Sequence, residues 1–233
     1  MLKKIDSKNM GDSNLGWLRS KFHFSFAEYY NPNNIRFGAL RVINDDLIEA
    51  NTGFDTHPHK DMEIISYVVN GDLTHGDSMG NKNTITRGQV QYMSAGTGVY
   101  HSEHNFGEKT LRSLQIWILP DKAGYKPDYG DYRFNWNDRE NKWLHMISSK
   151  SGNAKVKINQ DMNIYSLELG QGKEISFPVN EKRQAYLVQI EGSSTINDIE
   201  LNDSDALEIV EEEILIQAKE NSHILILEMK KEY

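Results

Sequence analysis

Two short segments are built almost wholly of metal-binding side chains: His57-Pro58-His59 and, after forty-one intervening residues, His101-Ser102-Glu103. Alternate residues of a β-strand face the same way, so each segment can present two donors to one side of a sheet. On facing strands the two pairs would bring three imidazoles and one carboxylate to a single point. Such a set suits Fe, Ni, Cu, Mn, Co or Zn, and the donors alone do not choose among them. Four protein ligands on a six-coordinate ion leave two positions for a bidentate substrate, or for a substrate oxygen and dioxygen side by side. Zinc held tetrahedrally by the same four would instead be closed and structural.

Glu63 competes with Glu103 for the carboxylate role, because on an unbroken strand it shares the face of His57 and His59, as does Asp61. Glu103 is favoured, since the strand that delivers His101 delivers it two positions later; Glu63 is then expected to orient an imidazole from behind. His23, His75, His145 and His223 are read as surface or hydrogen-bonded groups, and His104 should point away from the ligands by strand alternation. Other chemistry finds little support. Ser94-Ala95-Gly96-Thr97-Gly98 lacks the lysine and following helix of a phosphate loop, so it reads as a turn before His101. Ser102 faces away from its neighbours, which argues against a Ser-His-Asp nucleophile. No Gly-x-Gly-x-x-Gly fingerprint follows a strand.

Composition narrows the partners. Cysteine is absent, which removes disulfides, thiolate-bound zinc, iron–sulfur clusters and a cysteine nucleophile together, so any metal must sit on nitrogen and oxygen. The formal net charge of -8 has the wrong sign for gripping phosphate backbones, and no basic patch is interleaved with aromatics, so no direct nucleic-acid binding is expected. Glu211-Glu212-Glu213 reads as a solvated strand edge or turn. No stretch approaches the ~20 apolar residues that span a bilayer, and the lysines at the start are not followed by an apolar run. No membrane association and a cytoplasmic location are the resulting expectations.

To place these donors the chain must be rich in strands. From about Ile35 onward short apolar runs alternate with turn residues, the cadence of an antiparallel all-β protein. Strands are expected over 36–43, 62–69, 72–76, 83–86, 90–93 and 111–119, and again over 143–148, 155–158, 164–169, 174–179, 185–190, 207–210, 214–218 and 224–229. The stretch 123–142 shows no sustained period and reads as a connection with one short helix. A domain over 1–122 carrying the metal, the connection 123–142, and a second domain over 143–233 without a metal follow. Tyr67-Val68-Val69-Asn70-Gly71 is echoed by Tyr186-Leu187-Val188-Gln189-Ile190-Glu191-Gly192, which suggests a degenerate repeat. Counting back from Gly192 as His57 lies behind Gly71 reaches Phe177 to Asn180, where there is no histidine.

These residues resemble the cupin superfamily. Gly53, His57, His59, Glu63 and Gly71 follow its first motif, with the glycine nearer the histidine than usual. Gly88, Ser94, Gly96, His101 and Asn105 follow its second, with Ser94 in place of proline and two extra residues before the histidine. The departures point to the pirin family of bicupins, whose wording is matched by Gly16-Trp17-Leu18, His23-Phe24-Ser25-Phe26-Ala27, Phe37-Gly38-Ala39-Leu40-Arg41-Val42, Thr56-His57-Pro58-His59, Met62-Glu63-Ile64-Ile65-Ser66-Tyr67, Met93-Ser94-Ala95-Gly96-Thr97-Gly98 and His101-Ser102-Glu103. The similarity is dense in the first half and diffuse in the second. It implies two jelly-roll-like β-barrels with one metal, usually iron, in the first, bound at His57, His59, His101 and Glu103.

The resemblance also implies a quercetin 2,3-dioxygenase activity, in which a flavonol ring is opened by dioxygen with loss of carbon monoxide. A flavonol-like aromatic would enter the open metal position, and Glu103, as ligand or transiently detached base, is placed to take its hydroxyl proton. The alternative in the same family is a metal-dependent redox sensor or adaptor that binds a transcription regulator or metabolic enzyme without catalysis.

Overall fold

The computed structural model describes residues 1–231. Among them there is no α-helix: the elements are twenty-two strands and two short 3-10 turns, Ser7–Asn9 and Trp136–Arg139. The expectation of an antiparallel all-β protein holds. The chain divides into two compact units, one over Gly11–Phe134 with Ile158–Gln160, the other over Met1–Met10, Asn135–Lys157 and Asp161–Tyr233.

After β1 (Leu2–Ile5), which belongs to the second unit, the first unit runs β2 (Gly11–Asn14), β3 (Leu18–Phe22), β4 (Leu40–Ile48), β5 (Thr52–His59), β6 (Glu63–Asn70), β7 (Leu73–Asp77), β8 (Lys82–Ile85), β9 (Val90–Ser94), β10 (Val99–Asn105), β11 (Leu111–Ile118) and β12 (Asp128–Tyr132). They form a seven-stranded sheet, order β12-β9-β6-β11-β4-β3-β2, and a four-stranded sheet, order β5-β10-β7-β8. β5 lies at the edge of the smaller sheet, where Pro58, lacking an N–H, removes no ladder bond from a central strand.

Register makes the inner face of the large sheet a sequence of transverse rows. Leu18, Ile48 and Leu111 stand side by side, and at the other end Val42, Trp117, Ile64 and Met93 do the same. Leu18, Ile48 and Leu111 belong to one apolar cluster with Val68, Leu73 and Ile85, while Ile64 and Met93 belong to a separate one with Val99, against which Trp117 packs. Between them runs a polar belt: Ser20, Asp46 and Ser113 in one row, and Phe22, Asn44, Gln115, Ser66 and Gln91 in the next. Buried polar side chains in a continuous row must find partners, and here the partner arrives from the opposite sheet.

The second unit continues with β13 (Leu144–Ser149), β14 (Val156–Ile158), β15 (Met162–Leu169), β16 (Glu174–Phe177), β17 (Arg183–Glu191), β18 (Ser194–Ile196), β19 (Ile199–Leu201), β20 (Ala206–Val210), β21 (Ile214–Ala218) and β22 (Ser222–Lys230). Its sheets, β1-β20-β17-β22-β15-β13-β14 and β16-β21-β18-β19, repeat the seven-plus-four arrangement, with β15 to β22 standing in the order of β4 to β11 and the outer pair β13 and β14 swapped in chain order relative to β2 and β3. The echo between β6 and β17 is therefore topological as well as textual. On this correspondence β5 and β10 match β16 and β21, whose Phe177, Ile214 and Ile216 are buried in an aliphatic core.

Two expectations need amendment. Residues before Ile35 supply β2 and β3 to the same sheet; in β3 the inward residues are Leu18, Ser20 and Phe22, and the polar Ser20 disguises the alternation. The stretch 123–142 is not merely a connection, because Asp128–Tyr132 adds β12 to the sheet edge beside β9. Its composition, Asp-Tyr-Gly-Asp-Tyr, is that of a half-exposed edge strand and carries no apolar period.

Candidate metal centre

His57, His59 and His101 converge. β5 and β10 pair antiparallel with His101 opposite His57. Ring centroids are 4.5 Å apart for His57 and His101, 4.9 Å for His57 and His59, and 4.9 Å for His59 and His101. Their candidate ligand nitrogens lie within 4.8 Å of one another. The close approach of the two strands depends on Gly53, where a Cβ would stand 2.4 Å from the Glu103 carbonyl oxygen and 2.5 Å from the Cα of His104. A register shift between His101 and Glu103 then sets Glu103 opposite Phe54.

His59 and His101 are poised as neutral donors. Burial, with His101 and His57 nearby, lowers His59 to about 4; burial, with His57 and His75 nearby, lowers His101 to about 3. The Nδ1 of His57 lies 2.7 Å from the Asp55 carbonyl oxygen, which can only accept, so Nδ1 carries the proton and Nε2 the lone pair. His101 is 1% exposed, yet neither of its nitrogens has a hydrogen-bond partner among the described residues. An orphaned buried imidazole costs free energy that a bound cation would recover, so the donor set fits a metal ion.

Glu103 is gripped from below by the polar belt. Its Oε1 lies 2.5 Å from Ser66 Oγ and 3.0 Å from Gln91 Nε2, and its Oε2 accepts from Gln115 Nε2. A carboxylate offers roughly four lone-pair sites, so one remains for an ion even with all three bonds made. His75, Glu103 and His101 also lie close enough to hold an ion. His75, however, is spent: Gln91 Nε2 donates to its Nδ1 at 3.0 Å, leaving its Nε2–H for Asp77 Oδ2 at 3.0 Å. It stacks on Tyr129 at 4.6 Å and is completely buried, a hydrogen-bonded group beside the site rather than on the surface.

Glu63 does not orient an imidazole. Asp61 adopts φ +48°, the chain turns there, and Glu63 opens β6 in the other sheet. Its carboxylate accepts from Ser94 Oγ at 2.7 Å and from the Asn159 backbone N–H at 3.0 Å. Asp61, in the turn, accepts from the Gly124 N–H at 2.7 Å. His104 turns outward to Asp55 at 3.3 Å and stacks on Phe106. Of the remaining histidines, His23 and His223 are buried, the latter 3.0 Å from Glu191, and His145 stacks on Tyr165.

His57, His59 and Glu103 open into a cavity of about 290 Å³ walled by Phe22, Phe26, Phe54 and Trp117. Trp117 stands edge-on to His59 at 4.8 Å and to Phe26 at 5.3 Å. Asn44, Asp46 and Gln115 of the polar belt also face it. None of Gln91, Gln115, Ser66, Asn44 or Asp46 was singled out from the sequence. The available signal was a polar residue at an inward position of an otherwise apolar strand, as Ser66 is among Ile64, Ile65, Tyr67 and Val68.

The sequence profile described as Pirin matches residues 5–118, and that of the quercetinase C-terminal cupin domain matches residues 145–229. A protein of Escherichia coli strain K12 named quercetin 2,3-dioxygenase is 42% identical over 230 residues, covering 98% of this chain and 97% of its own. This chain belongs to the pirin family. A pirin-like protein of Caulobacter vibrioides is 40% identical over 230 residues, covering 98% of this chain and 99% of its own. Among solved pirins, YhhW of Escherichia coli superposes with a TM-score of 0.94 at 40% identity, covering 100% of this chain and 99% of its own. YhhW in complex with nickel(II) gives 0.93 at 39% identity, with both chains fully covered. The pirin fold of the chain is thus a pair of cupin domains, and among its described residues no helix is long and apolar enough to cross a membrane.

Proposed function

We propose that this pirin is a metal-dependent dioxygenase of the quercetin 2,3-dioxygenase type, opening a flavonol ring with dioxygen. The observation that carries the reading is His101, buried with both nitrogens unpartnered, beside two further imidazoles and a carboxylate at the floor of an aromatic cavity. Relatives named quercetin 2,3-dioxygenase and a solved relative holding nickel(II) support it. His57, His59, His101 and Glu103 would hold one divalent ion, iron or nickel foremost. When bound, it supplies Lewis-acid polarisation of a substrate oxygen and a template for the reactants.

The chain's own groups do the rest. Phe22, Phe26, Phe54 and Trp117 offer ring faces and edges to a planar aromatic and exclude water from it. Glu103, when not serving as a ligand, accepts the proton of the flavonol hydroxyl at the one lone-pair site left to it, on Oε2, which takes one hydrogen bond where Oε1 takes two. Gln115, Ser66 and Gln91 keep that carboxylate still, so the proton acceptor is oriented before the substrate arrives. Aerobic incubation of the metal-loaded protein with quercetin should remove the flavonol absorbance and release carbon monoxide, and His101→Ala should abolish both. Equal inertness of wild type and His101→Ala across Fe, Ni, Cu, Mn and Co would reject catalysis in favour of a non-catalytic sensor or adaptor.

A further inference from the structure

Asn44 is 4% exposed, lines the cavity, and its Oδ1 has no hydrogen-bond partner among the described residues. Its neighbours in the row explain why nothing in the fold answers it. Phe22 on one side is apolar, and Gln115 on the other turns its amide to Glu103 and Ser66. One row away, Asp46 accepts from Ser20 Oγ at 2.6 Å and lines the same cavity. A buried polar atom on a cavity-lining side chain, left unanswered, costs free energy that is recovered if the amide turns to a guest in the cavity.

The chemistry of that guest group follows from the walls. No lysine or arginine lines the cavity among the described residues, so no side chain there offers an ion-pair partner to a second, anionic substituent. A hydroxyl is donor and acceptor at once; it can donate to Asn44 Oδ1 and still accept from a protonated carboxyl. Burial pushes Asp46 up to about 7, so near neutral pH that carboxyl holds a proton much of the time.

We infer that Asn44, with Asp46 beside it, anchors a second hydroxyl of the substrate, so that the cavity selects uncharged polyhydroxylated aromatics over those carrying only the hydroxyl delivered to Glu103. The inference rests on the flavonol reading given above and names the specificity of that site. Asn44 is a specificity-determining residue; it takes no part in proton removal.

The test is a binding measurement that needs no turnover. Nickel-loaded protein is titrated under argon with quercetin and with unsubstituted flavonol, which has a single hydroxyl, following quenching of tryptophan fluorescence; Trp117 lines the cavity. Wild type should bind quercetin about tenfold more tightly than flavonol. In Asn44→Leu, with its nickel content verified, the ratio should shrink to within about twofold while flavonol binding is held. Asn44→Ser, polar but shorter, should fall between.

A wild-type ratio near unity overturns the inference without recourse to any variant, because an ordered water would then serve Asn44 equally well with either ligand. So does an Asn44→Leu protein that keeps its nickel and its full selectivity, or one that weakens both ligands alike. Wild type that binds neither ligand instead removes the flavonol reading, and this inference with it.

Discussion

His101 and Asp46 are both buried ionisable groups of the first unit, and they respond to burial in opposite senses. Burial holds the imidazole neutral and pushes the carboxyl up to about 7 against the hydrogen bond from Ser20, with Asp45 and Glu103 adding to the rise. The sign for Asp46 is definite. Its folded pKa exceeds the ordinary 3.8, so its contribution to stability is complete below that value and is lost as pH climbs through about 7. Asp46→Asn should therefore gain on wild type between about pH 5 and about pH 8, by on the order of 2 kcal/mol, in urea denaturation of the metal-loaded protein. A difference that stays constant with pH would refute the burial of an ionising carboxyl there. The three metal-site histidines were legible because histidine pairs at a spacing of two are rare and chemically loaded. Asn44, Asp46, Ser66, Gln91 and Gln115 were not, since each is an ordinary polar residue whose meaning comes only from its row.

Strands β5 and β10 show how much of the site is a matter of register. Alternation correctly grouped His57 with His59 and turned His104 outward. It misjudged Glu63, because it assumed an unbroken strand past His59, whereas the positive φ at Asp61 ends β5 and hands Glu63 to the opposite sheet. The pairing itself tolerates no side chain at Gly53, whose added Cβ would overlap the backbone of Glu103 and His104. Gly53→Ala should cost about 1–3 kcal/mol by overpacking and lower nickel affinity at least tenfold by parting His57 from His101. Gly130→Ala is the control, since nothing lies within 4 Å of a Cβ there. Isothermal titration of the two variants with nickel separates the outcomes; equal affinities would show that strand approach does not set the site.

Both units repeat the order of eight strands, and only the first has histidines where β5 and β10 stand. The matching strands β16 and β21 present Phe177, Ile214 and Ile216 to an aliphatic core, which closes the space that the first unit leaves open to a ligand. Elemental analysis of the full chain should find one metal equivalent, falling to none in the His57→Ala/His101→Ala double variant. Two equivalents in wild type would contradict the assignment. The repeat was visible in the sequence as the echo of β6 in β17, but its extent was not: β12 and β1 hold matching edge positions in the two large sheets although they come from distant parts of the chain.

Residue types and a period of two sufficed to establish the all-β class, the exclusion of sulfur ligands and the convergence of His57 with His59, because these depend on composition and on geometry local to one strand. The grip on Glu103, the silencing of His75, the removal of Glu63 from the imidazoles and the unanswered Asn44 depend on which strands lie side by side and in what register. Those are long-range facts. A polar side chain inside a barrel is defined by the partner the opposite sheet brings to it, and no span of contiguous sequence contains both.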